Sequence, residues 1–279
     1  MPKALSEHQV KQYQDDGYFF PLPVLTAAEA ADCRAQLEEF EKQQGGVIGG
    51  IFRNKAHLIF KWVDDLMRNE GILDAVEDLI GPDLLCWNTL FWVKEAGSEQ
   101  FVSWHQDLNY WGLDTDDLVT VWIAISEASL QSGCMSVLPG SHRGDMMPHQ
   151  DEYNDDNMLT RGQEIAVEVD EAKTVAMPLK VGEASLHNGR LAHASAPNRS
   201  NDRRIGLSLH YVPTNTTQVI GDWDSAALVR GEDKYQHFTH TPRPKQDFDP
   251  DVLEFHGRAA AAVRDVLFHG AKQVRNTIG

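Results

Sequence analysis

Hydrophobic and polar positions follow two different spacings along the chain, and the change falls at about Leu84. Before it, apolar residues recur in interrupted amphipathic runs, which predict helices. Two capping boxes, in which Ser or Thr is followed three residues later by Gln or Glu, mark helix starts. The predicted helices run from Ser6 to Gly17, from Thr26 to about Gln44, and from Glu70 to Ile80, which Gly81-Pro82 closes.

After Leu84 the pattern changes to short runs rich in Val, Ile, Trp and Phe, separated by Gly, Pro, Ser and Asn. The predicted strands are Leu84–Lys94, Phe101–Asp107, Val119–Ser126, Ser136–Leu138, Ala184–His187 and Arg204–Val212. Met146–Gly162, rich in Asp, Asn and Met, shows no period and predicts a long loop, for example a lid over a site. Asp251–His269 predicts a C-terminal helix.

No internal repeat and no Pro/Ser-rich linker interrupts this order, which favours a single domain over residues 1–279. Within it we expect a helical part over about 1–83, a core over about 84–213 and a C-terminal extension over 214–279. Helices packed outside a double-sheeted jelly roll fit the pattern. The predicted fold class is therefore mainly β, with flanking α-helices.

The composition narrows the class of partner. The 279 residues carry a net charge of −17, which disfavours nucleic acid because phosphates need a basic surface. An anionic small molecule stays possible, since one arginine in a cleft can outweigh the global field. No apolar run approaches the ~20 residues of a membrane-spanning helix. Three widely spaced cysteines and the lack of a signal-peptide pattern predict a reducing compartment, the cytoplasm.

The segment Trp104–Leu108 places an imidazole and a carboxylate two residues apart, at His105 and Asp107. On a β-strand, residues i and i+2 project from the same face, so both could reach one metal ion. A third nitrogen ligand would complete the 2-His-1-carboxylate set of non-haem Fe(II) oxygenases. His-x-Asp alone is a weak signal, because a surface strand with alternating polar residues shows the same pattern.

A second part of the pattern supports the metal site. His193 is followed eleven residues later by Arg204, and Asn198–Asp202 between them predicts a turn. A strand, a turn and a returning strand would place His193 and Arg204 near one another in the sheet. An arginine beside an iron site suits a 2-oxoacid, because its planar fork binds a carboxylate bidentately and stays charged.

These residues resemble those of the phytanoyl-CoA dioxygenase family of Fe(II)/2-oxoglutarate-dependent oxygenases, which are built on a double-stranded β-helix, a cupin-like jelly roll. The resemblance covers roughly Leu84 to Pro213. It rests on His105-Gln106-Asp107, Trp122, Val137-Leu138-Pro139-Gly140-Ser141-His142, and His193 with Asn198 and Arg204.

The resemblance implies that His105, Asp107 and His193 bind iron and that Arg204 binds the distal carboxylate of 2-oxoglutarate. It suggests Gln106, Trp122 and Ser195 as further cosubstrate contacts, and it implies O₂ as the second cosubstrate. Some relatives replace the aspartate with Ala or Gly and halogenate. The presence of Asp107 at that position therefore favours hydroxylation.

Some other residues have both a functional and a structural interpretation. His187, six residues before His193, competes for the third ligand position, and its alternative is a histidine at a strand end. His142 is expected to stabilise the turn that it follows. Arg203 should point to the face opposite Arg204 and pair with surface carboxylates. Arg53, with Lys55 and Lys61, could approach an anionic substrate, or could form a solvated face.

Three residues are candidates for substrate contact. Asn109 faces the cavity if the strand through Asp107 continues, and Tyr110 beside it could form part of an aromatic wall. His210 shares the face of Arg204 if that strand is uninterrupted.

The predicted function is hydroxylation of a C–H bond in a small polar metabolite, such as an aminophosphonate or an amino-acid-like compound. In this reaction 2-oxoglutarate gives succinate and CO₂. An acyl-CoA substrate is not expected, because the chain shows no dense cluster of Arg and Lys for its phosphates. Two alternatives are a cupin-like metal-binding module without oxygenase activity and a Zn-dependent hydrolase. Neither alternative needs Arg204.

Overall fold

The computed structural model describes residues 2–274. Its α-helices are α1 (Glu7–Asp16), α2 (Ala27–Gln44), α3 (Lys61–Leu66), α4 (Glu70–Ile80), α5 (Leu108–Trp111) and α6 (Pro250–Leu267). Both predicted capping boxes are present: Ser6 and Thr26 each accept a hydrogen bond from the backbone N–H three residues on, and Gln9 and Glu29 complete the exchange.

The strands lie in the second part of the chain, apart from the first. They are β1 (Tyr18–Pro23), β2 (Leu84–Lys94), β3 (Val102–His105), β4 (Leu113–Asp114), β5 (Val119–Ala124), β6 (Met135–Val137), β7 (His149–Asp151), β8 (Gln163–Ile165), β9 (Val175–Met177), β10 (Glu183–Asn188), β11 (His193–Ser195), β12 (Arg204–Pro213), β13 (Thr217–Gln218), β14 (Ser225–Arg230) and β15 (Thr239–His240).

Two main sheets form the core. The larger sheet has the strand order β1-β10-β5-β12-β2-β14-β15, and the smaller has the order β3-β11-β6-β9. Neighbouring strands are antiparallel, except for β14 and β15. This arrangement, with helices outside it, confirms the predicted double-stranded β-helix with flanking helices. The larger sheet also takes in β1 and β14, which lie outside the predicted core range.

The two faces of strand β12 carry different kinds of side chain. Leu207, Leu209 and Tyr211 join a hydrophobic cluster with α2 and α4, which contribute Leu37 and Leu73. The intervening residues face the interior between the sheets. Because β12 is buried on both faces, its outer residues hold the helices on the sheet, while its inner residues are free to line a cavity. This shared core supports the predicted single domain, which stays a prediction.

Two predicted segments differ from the structure. Strand β3 ends at His105, two residues before its predicted end, because Asp107 has helical φ and ψ and begins α5. The predicted loop Met146–Gly162 contains strand β7, which pairs with β8 just beyond it. Each of these strands has only three residues, which is too short for an alternating hydrophobic pattern to be visible in the sequence. Among the described helices, none combines the length and the apolar character needed to cross a membrane.

Candidate metal centre and adjoining cavities

Two histidines meet across the smaller sheet. His105 ends β3 and His193 begins β11, and the two residues are register partners. Their ring centroids are 4.1 Å apart. In each, Nδ1 donates to the carbonyl oxygen two residues earlier, Ser103 for His105 and Leu191 for His193, both at 2.9 Å. This fixes the tautomer and leaves both Nε2 atoms free as metal donors.

Asp107 completes the group from a different element. Its Oδ1 lies 3.3 Å from Nε2 of His105 and 3.9 Å from Nε2 of His193. One ligand atom from each of the three residues lies within 4.8 Å of the others, and all three residues are buried. The expectation that His105 and Asp107 share a strand face is wrong, because the backbone turns into α5. The hydrogen bond from the Leu108 N–H to the Gly189 carbonyl, 3.0 Å, holds that turn.

The protonation of this group suits a divalent cation. Burial opposes ionisation of Asp107, but the surrounding histidines His193, His105 and His187 hold its pKa well below its usual range. Burial, with His105 adding to it, lowers the pKa of His193 well below its usual range. An ionised carboxylate beside a neutral imidazole is the form that binds a metal.

His187, the predicted competitor, lies on β10 beside this group. Its Nε2 is 3.8 Å from Oδ2 of Asp107, and its ring centroid is 4.8 Å from that of His193. It does not belong to the set of three whose ligand atoms are mutually close. The arrangement therefore favours His193 as the third ligand and leaves His187 next to the centre.

Arg204 lies in a cavity that the three metal-site residues also line, here called the Arg204 cavity. Its guanidinium stands 5.3 Å from the centroid of the Trp122 ring. The side chain is buried, and within residues 2–274 its Nε and Nη2 have no hydrogen-bond partner. Burial lowers the pKa of Arg204 to about 10. Unpartnered buried guanidinium nitrogens of this kind are completed by a bound anion.

The donor set and Arg204 together fit a metal with a 2-oxoacid. The two histidines and one carboxylate match the facial ligand set of non-haem iron. The Arg204 cavity joins that set to an arginine without a carboxylate partner in the described chain. A dicarboxylate could therefore reach the metal with one end and the guanidinium with the other.

Arg203, one residue earlier, shows the opposite environment. It points to the opposite face of the sheet, as predicted, and pairs with Glu38, Glu41 and Glu95 at 3.4, 2.7 and 2.8 Å. Its side chain is only 16% exposed and Glu41 is buried, so the expectation that its partners are surface carboxylates holds only in part. Adjacent strand residues point to opposite faces, so Arg203 pairs with carboxylates of α2 while Arg204 lines the cavity.

Sequence reasoning missed the role of Gly206. A Cβ atom on Gly206 would lie 2.0 Å from Cζ2 of Trp122, closer than atoms can approach. The glycine therefore makes room for the Trp122 ring beside Arg204. A glycine inside a strand is a sequence signal for such a close approach.

Two of the suggested cosubstrate contacts have different surroundings. Ser195 lines the Arg204 cavity, and its hydroxyl accepts a 2.7 Å hydrogen bond from Nζ of Lys94. Gln106 is buried, with its amide donating to the Arg190 carbonyl at 2.6 Å and accepting from the Met147 N–H at 2.8 Å. Gln106 is absent from the cavity lining of the described chain, so its contacts favour positioning of the neighbouring ligands over contact with a cosubstrate.

Lys94 is a further residue that the sequence did not single out. Its Nζ also lies within hydrogen-bond distance of the carbonyls of Ser195 and Ala196, at 3.1 and 2.6 Å. Burial, with the charge of Arg204 adding to it, lowers the pKa of Lys94 to about 6. Lys94 and Arg204 are register partners on β2 and β12, so a lysine at the strand end was the available signal.

A second cavity, here called the Arg53 cavity, also reaches His105 and Asp107. Its lining includes Arg53, Trp87, Tyr110, Trp111 and His210. Burial lowers the pKa of His210 to about 3, so its ring is neutral. The atom-free space, open solvent included, is about 440 Å³ in the Arg204 cavity and about 630 Å³ in the Arg53 cavity.

Of the predicted substrate contacts, Tyr110 and His210 line the Arg53 cavity, and His210 lines both cavities. Asn109 is exposed, because α5 replaces the strand continuation on which its prediction depended. It belongs to neither cavity lining within the described residues. The helix instead brings Trp111 to within 4.5 Å of His210, centroid to centroid.

Comparison with known proteins agrees with this geometry. Residues 2–206 match the family model of phytanoyl-CoA dioxygenase (PhyH). A probable alpha-ketoglutarate-dependent hypophosphite dioxygenase of Stutzerimonas stutzeri is 28% identical over 233 residues, which cover 76% of this chain and 80% of the relative. The apo form of the non-heme monooxygenase ThoJ is 34% identical, covers 94% of this chain and 98% of its own, and has a TM-score of 0.83.

A third match concerns the fold. CytC3, solved with Fe(II) and alpha-ketoglutarate, is 24% identical, covers 88% of this chain and 96% of its own, and has a TM-score of 0.63. The family match sets aside the inert metal-binding module and the zinc hydrolase. The chain belongs to the phytanoyl-CoA dioxygenase family and is an Fe(II)- and 2-oxoglutarate-dependent dioxygenase.

Proposed function

We propose that this dioxygenase hydroxylates a C–H bond of a small polar metabolite, such as an aminophosphonate or an amino-acid-like compound. The observation that carries the proposal is the complete ligand set, with Asp107 in place, opening into a cavity that ends at Arg204. A carboxylate at the third ligand position leaves no vacancy for a halide, which favours hydroxylation over halogenation.

The proposed roles follow from the donor atoms. His105 and His193 would hold Fe(II) through Nε2, since each Nδ1–H is already donated to a carbonyl. Asp107 would bind it through a carboxylate oxygen. Bound iron and 2-oxoglutarate supply the oxidising chemistry, in which R–H, O₂ and 2-oxoglutarate give R–OH, succinate and CO₂.

The remaining residues position the cosubstrate and shield the site from water. Arg204 would bind the distal carboxylate of 2-oxoglutarate, with Trp122 packed against the guanidinium. Ser195, oriented by Lys94, offers a hydroxyl in the same cavity. Trp122 is buried, and together with Trp92 it lines the Arg204 cavity and limits entry of water.

The Arg53 cavity is the proposed substrate site, because it reaches the metal residues from another side. Its lining combines aromatic side chains, Trp87 and Trp111, with polar ones, Asn54 and Asn88. Such a mixture suits a small polar molecule. The relative named for hypophosphite, a very small polar compound, supports the same size class.

The test is a screen of amino acids and aminophosphonates with the purified Fe(II) enzyme, 2-oxoglutarate and ¹⁸O₂. We expect at least one compound to accelerate succinate release and to gain one ¹⁸O atom, with the other in succinate. His193→Ala, run in parallel, should give neither product. A substrate that is consumed without gaining oxygen, or that gains chlorine in chloride buffer, would contradict hydroxylation.

A further inference from the structure

Arg53 is a cation at the substrate end of the site. It ends a short 3₁₀ helix, Gly50–Arg53, and its guanidinium lies 4.6 Å from the centroid of the Trp92 ring. Its Nε donates to the Phe91 carbonyl at 2.8 Å. These two contacts fix the guanidinium plane, and the hydrogen bond occupies Nε, which leaves Nη1 and Nη2 as the free edge. Arg53 lines the Arg53 cavity together with His105 and Asp107.

Arg53 has no counter-charge in the described part of the chain. Burial is the influence that shifts its pKa, lowering it to about 10, and no carboxylate opposes this. Arg161, beyond Tyr110 in the same region, shows what a structural arginine looks like in this protein. It pairs with Asp151 at 2.5 Å. Arg53 is partly buried, and a bound anion could supply the carboxylate-like partner that the described chain does not.

The formal charges of the site with its metal and cosubstrate bound balance without Arg53. Fe(II), the Asp107 carboxylate, the two carboxylates of 2-oxoglutarate and the Arg204 guanidinium sum to zero net charge. The positive charge of Arg53 is then the surplus in the adjoining cavity. Arg53 is also close enough to Arg204 to contribute to lowering its pKa, so the two cations repel each other. A second anion beside Arg53 would relieve both effects.

A neighbouring amide adds a second donor. Asn54 is buried and lines the same cavity. Its Oδ1 accepts from Asn88 at 3.4 Å, while its NH₂ group has no acceptor among residues 2–274. An arginine edge beside an amide NH₂ is a donor pair that recognises an oxyanion.

We infer that Arg53, assisted by Asn54, binds an acid group of the substrate, which is therefore a small organic acid. This inference rests on the proposed function and narrows its substrate class. The free Nη1–Nη2 edge matches two oxygens of one carboxylate, sulfonate or phosphonate group. The rest of the substrate would lie against Trp87 and Trp111, toward the metal residues.

The test is anaerobic binding to the Fe(II) enzyme saturated with 2-oxoglutarate, so that Arg204 is occupied. The probes are acetate, methanesulfonate and methylphosphonate, with acetamide and dimethyl sulfone as neutral partners. Binding is followed by quenching of tryptophan fluorescence and by the change in the visible iron–2-oxoglutarate band. We expect at least one anion to bind saturably and its neutral partner to bind at least tenfold more weakly.

The variants assign this preference to Arg53. Arg53→Gln should weaken binding of that anion at least tenfold, and Arg53→Lys should recover part of it, because an ammonium keeps the charge without the fork. Arg199→Gln, which removes an exposed arginine paired with Glu99, controls for net charge and should change nothing. The visible band in each variant shows that iron and 2-oxoglutarate are still bound.

Several outcomes overturn the inference. They are equal binding of acids and neutral partners, unchanged anion binding in Arg53→Gln, or an equal loss in Arg199→Gln. If Arg53→Gln instead raises the KM for 2-oxoglutarate, Arg53 serves the cosubstrate and the inference is wrong. Loss of the visible band in the wild-type enzyme is a different result, because it contradicts the proposed function itself.

Discussion

The two faces of strand β12 differ in how completely their side chains find partners. On the outer face, Leu209 packs against the helices and the Tyr211 hydroxyl donates to the Met67 carbonyl at 2.8 Å. On the inner face, Nε and Nη2 of Arg204 and Nδ1 of His210 have no partner within residues 2–274. Both faces are buried, so solvent does not explain the difference. The outer face is completed by the protein, and the inner face is left for ligands.

This comparison predicts that substitutions on the two faces will affect different measurements. Changes on the inner face that remove side-chain atoms should alter binding of metal or cosubstrate with little loss of stability. Changes on the outer face should lower stability with little change in the affinity for ligands. The metal residues, which face the same interior, should give the largest effect.

The largest expected effect is loss of the metal. His105→Ala, Asp107→Ala and His193→Ala should each abolish activity and weaken iron binding, because two ligands hold a labile ferrous ion poorly. Iron content after desalting and succinate release are the measurements. His187→Ala is the control, since its side chain lies beside the group of three. Loss of iron in His187→Ala, with iron kept in His193→Ala, would reverse the ligand assignment.

Arg204→Ala comes next. It removes the partner of the distal carboxylate, and losses of this kind cost about 2–5 kcal/mol, or roughly 30-fold to several thousand-fold in the KM for 2-oxoglutarate. Arg204→Lys should recover part of the loss, and iron binding should survive both changes. Arg203→Ala is the matched control one residue away, on the opposite face of the strand, and is assayed at a temperature where the variant is folded. An equal rise in KM for Arg203→Ala would refute the separation of the two faces.

The outer face is tested by Leu209→Ala. This buried leucine belongs to the cluster with α2 and α4, so the free energy of unfolding should fall by about 2–5 kcal/mol. The KM for 2-oxoglutarate should stay unchanged at a temperature where the variant is folded. Ser208→Ala, on the inner face, should keep its stability. Denaturant titration of both variants measures their free energies of unfolding. A stability loss in Ser208→Ala as large as that in Leu209→Ala would contradict the proposed difference between the two faces.

Gly206→Ala should have the smallest effect on stability and cosubstrate affinity, and it tests whether the two faces of β12 are coupled through Trp122. The new methyl group collides with Trp122, which must shift, and overpacking of this kind costs about 1–3 kcal/mol. Because Trp122 packs on Arg204, the KM for 2-oxoglutarate should rise as well. A variant that loses stability with an unchanged KM would show that Trp122 serves only the core.

The alternation along β12 explains why much of this site could be predicted. The expectation that a strand, a turn and a returning strand place His193 and Arg204 in one sheet is wrong, because β11 and β12 belong to different sheets and the two residues meet at the cavity that both line. Strand periodicity does place His210 on the face of Arg204. Asp107 could be predicted as a residue but not in its conformation, because the turn into α5 depends on a hydrogen bond to Gly189, about eighty positions away. The same turn moved Asn109 out of the cavity.

Residues whose roles depend on packing across the sheet were harder to predict. Lys94 meets Ser195 only because the larger sheet, which holds β2, faces the smaller sheet, which holds β11. Gly206 matters only because Trp122 occupies the space above it. Arg53 lies in a part of the chain with no strand pattern to place it, and its missing counter-charge is a property of the folded molecule. Local spacing carries none of these contacts.

The most direct measurement is an anaerobic titration of the Fe(II)-loaded protein with 2-oxoglutarate, followed in the visible range. The wild-type protein should develop a weak charge-transfer band that saturates. His193→Ala should give no band, and Arg204→Ala should reach the same band only at a 2-oxoglutarate concentration at least about 30-fold higher. A wild-type protein without a band, or an Arg204→Ala curve that overlays the wild-type curve, would contradict the account.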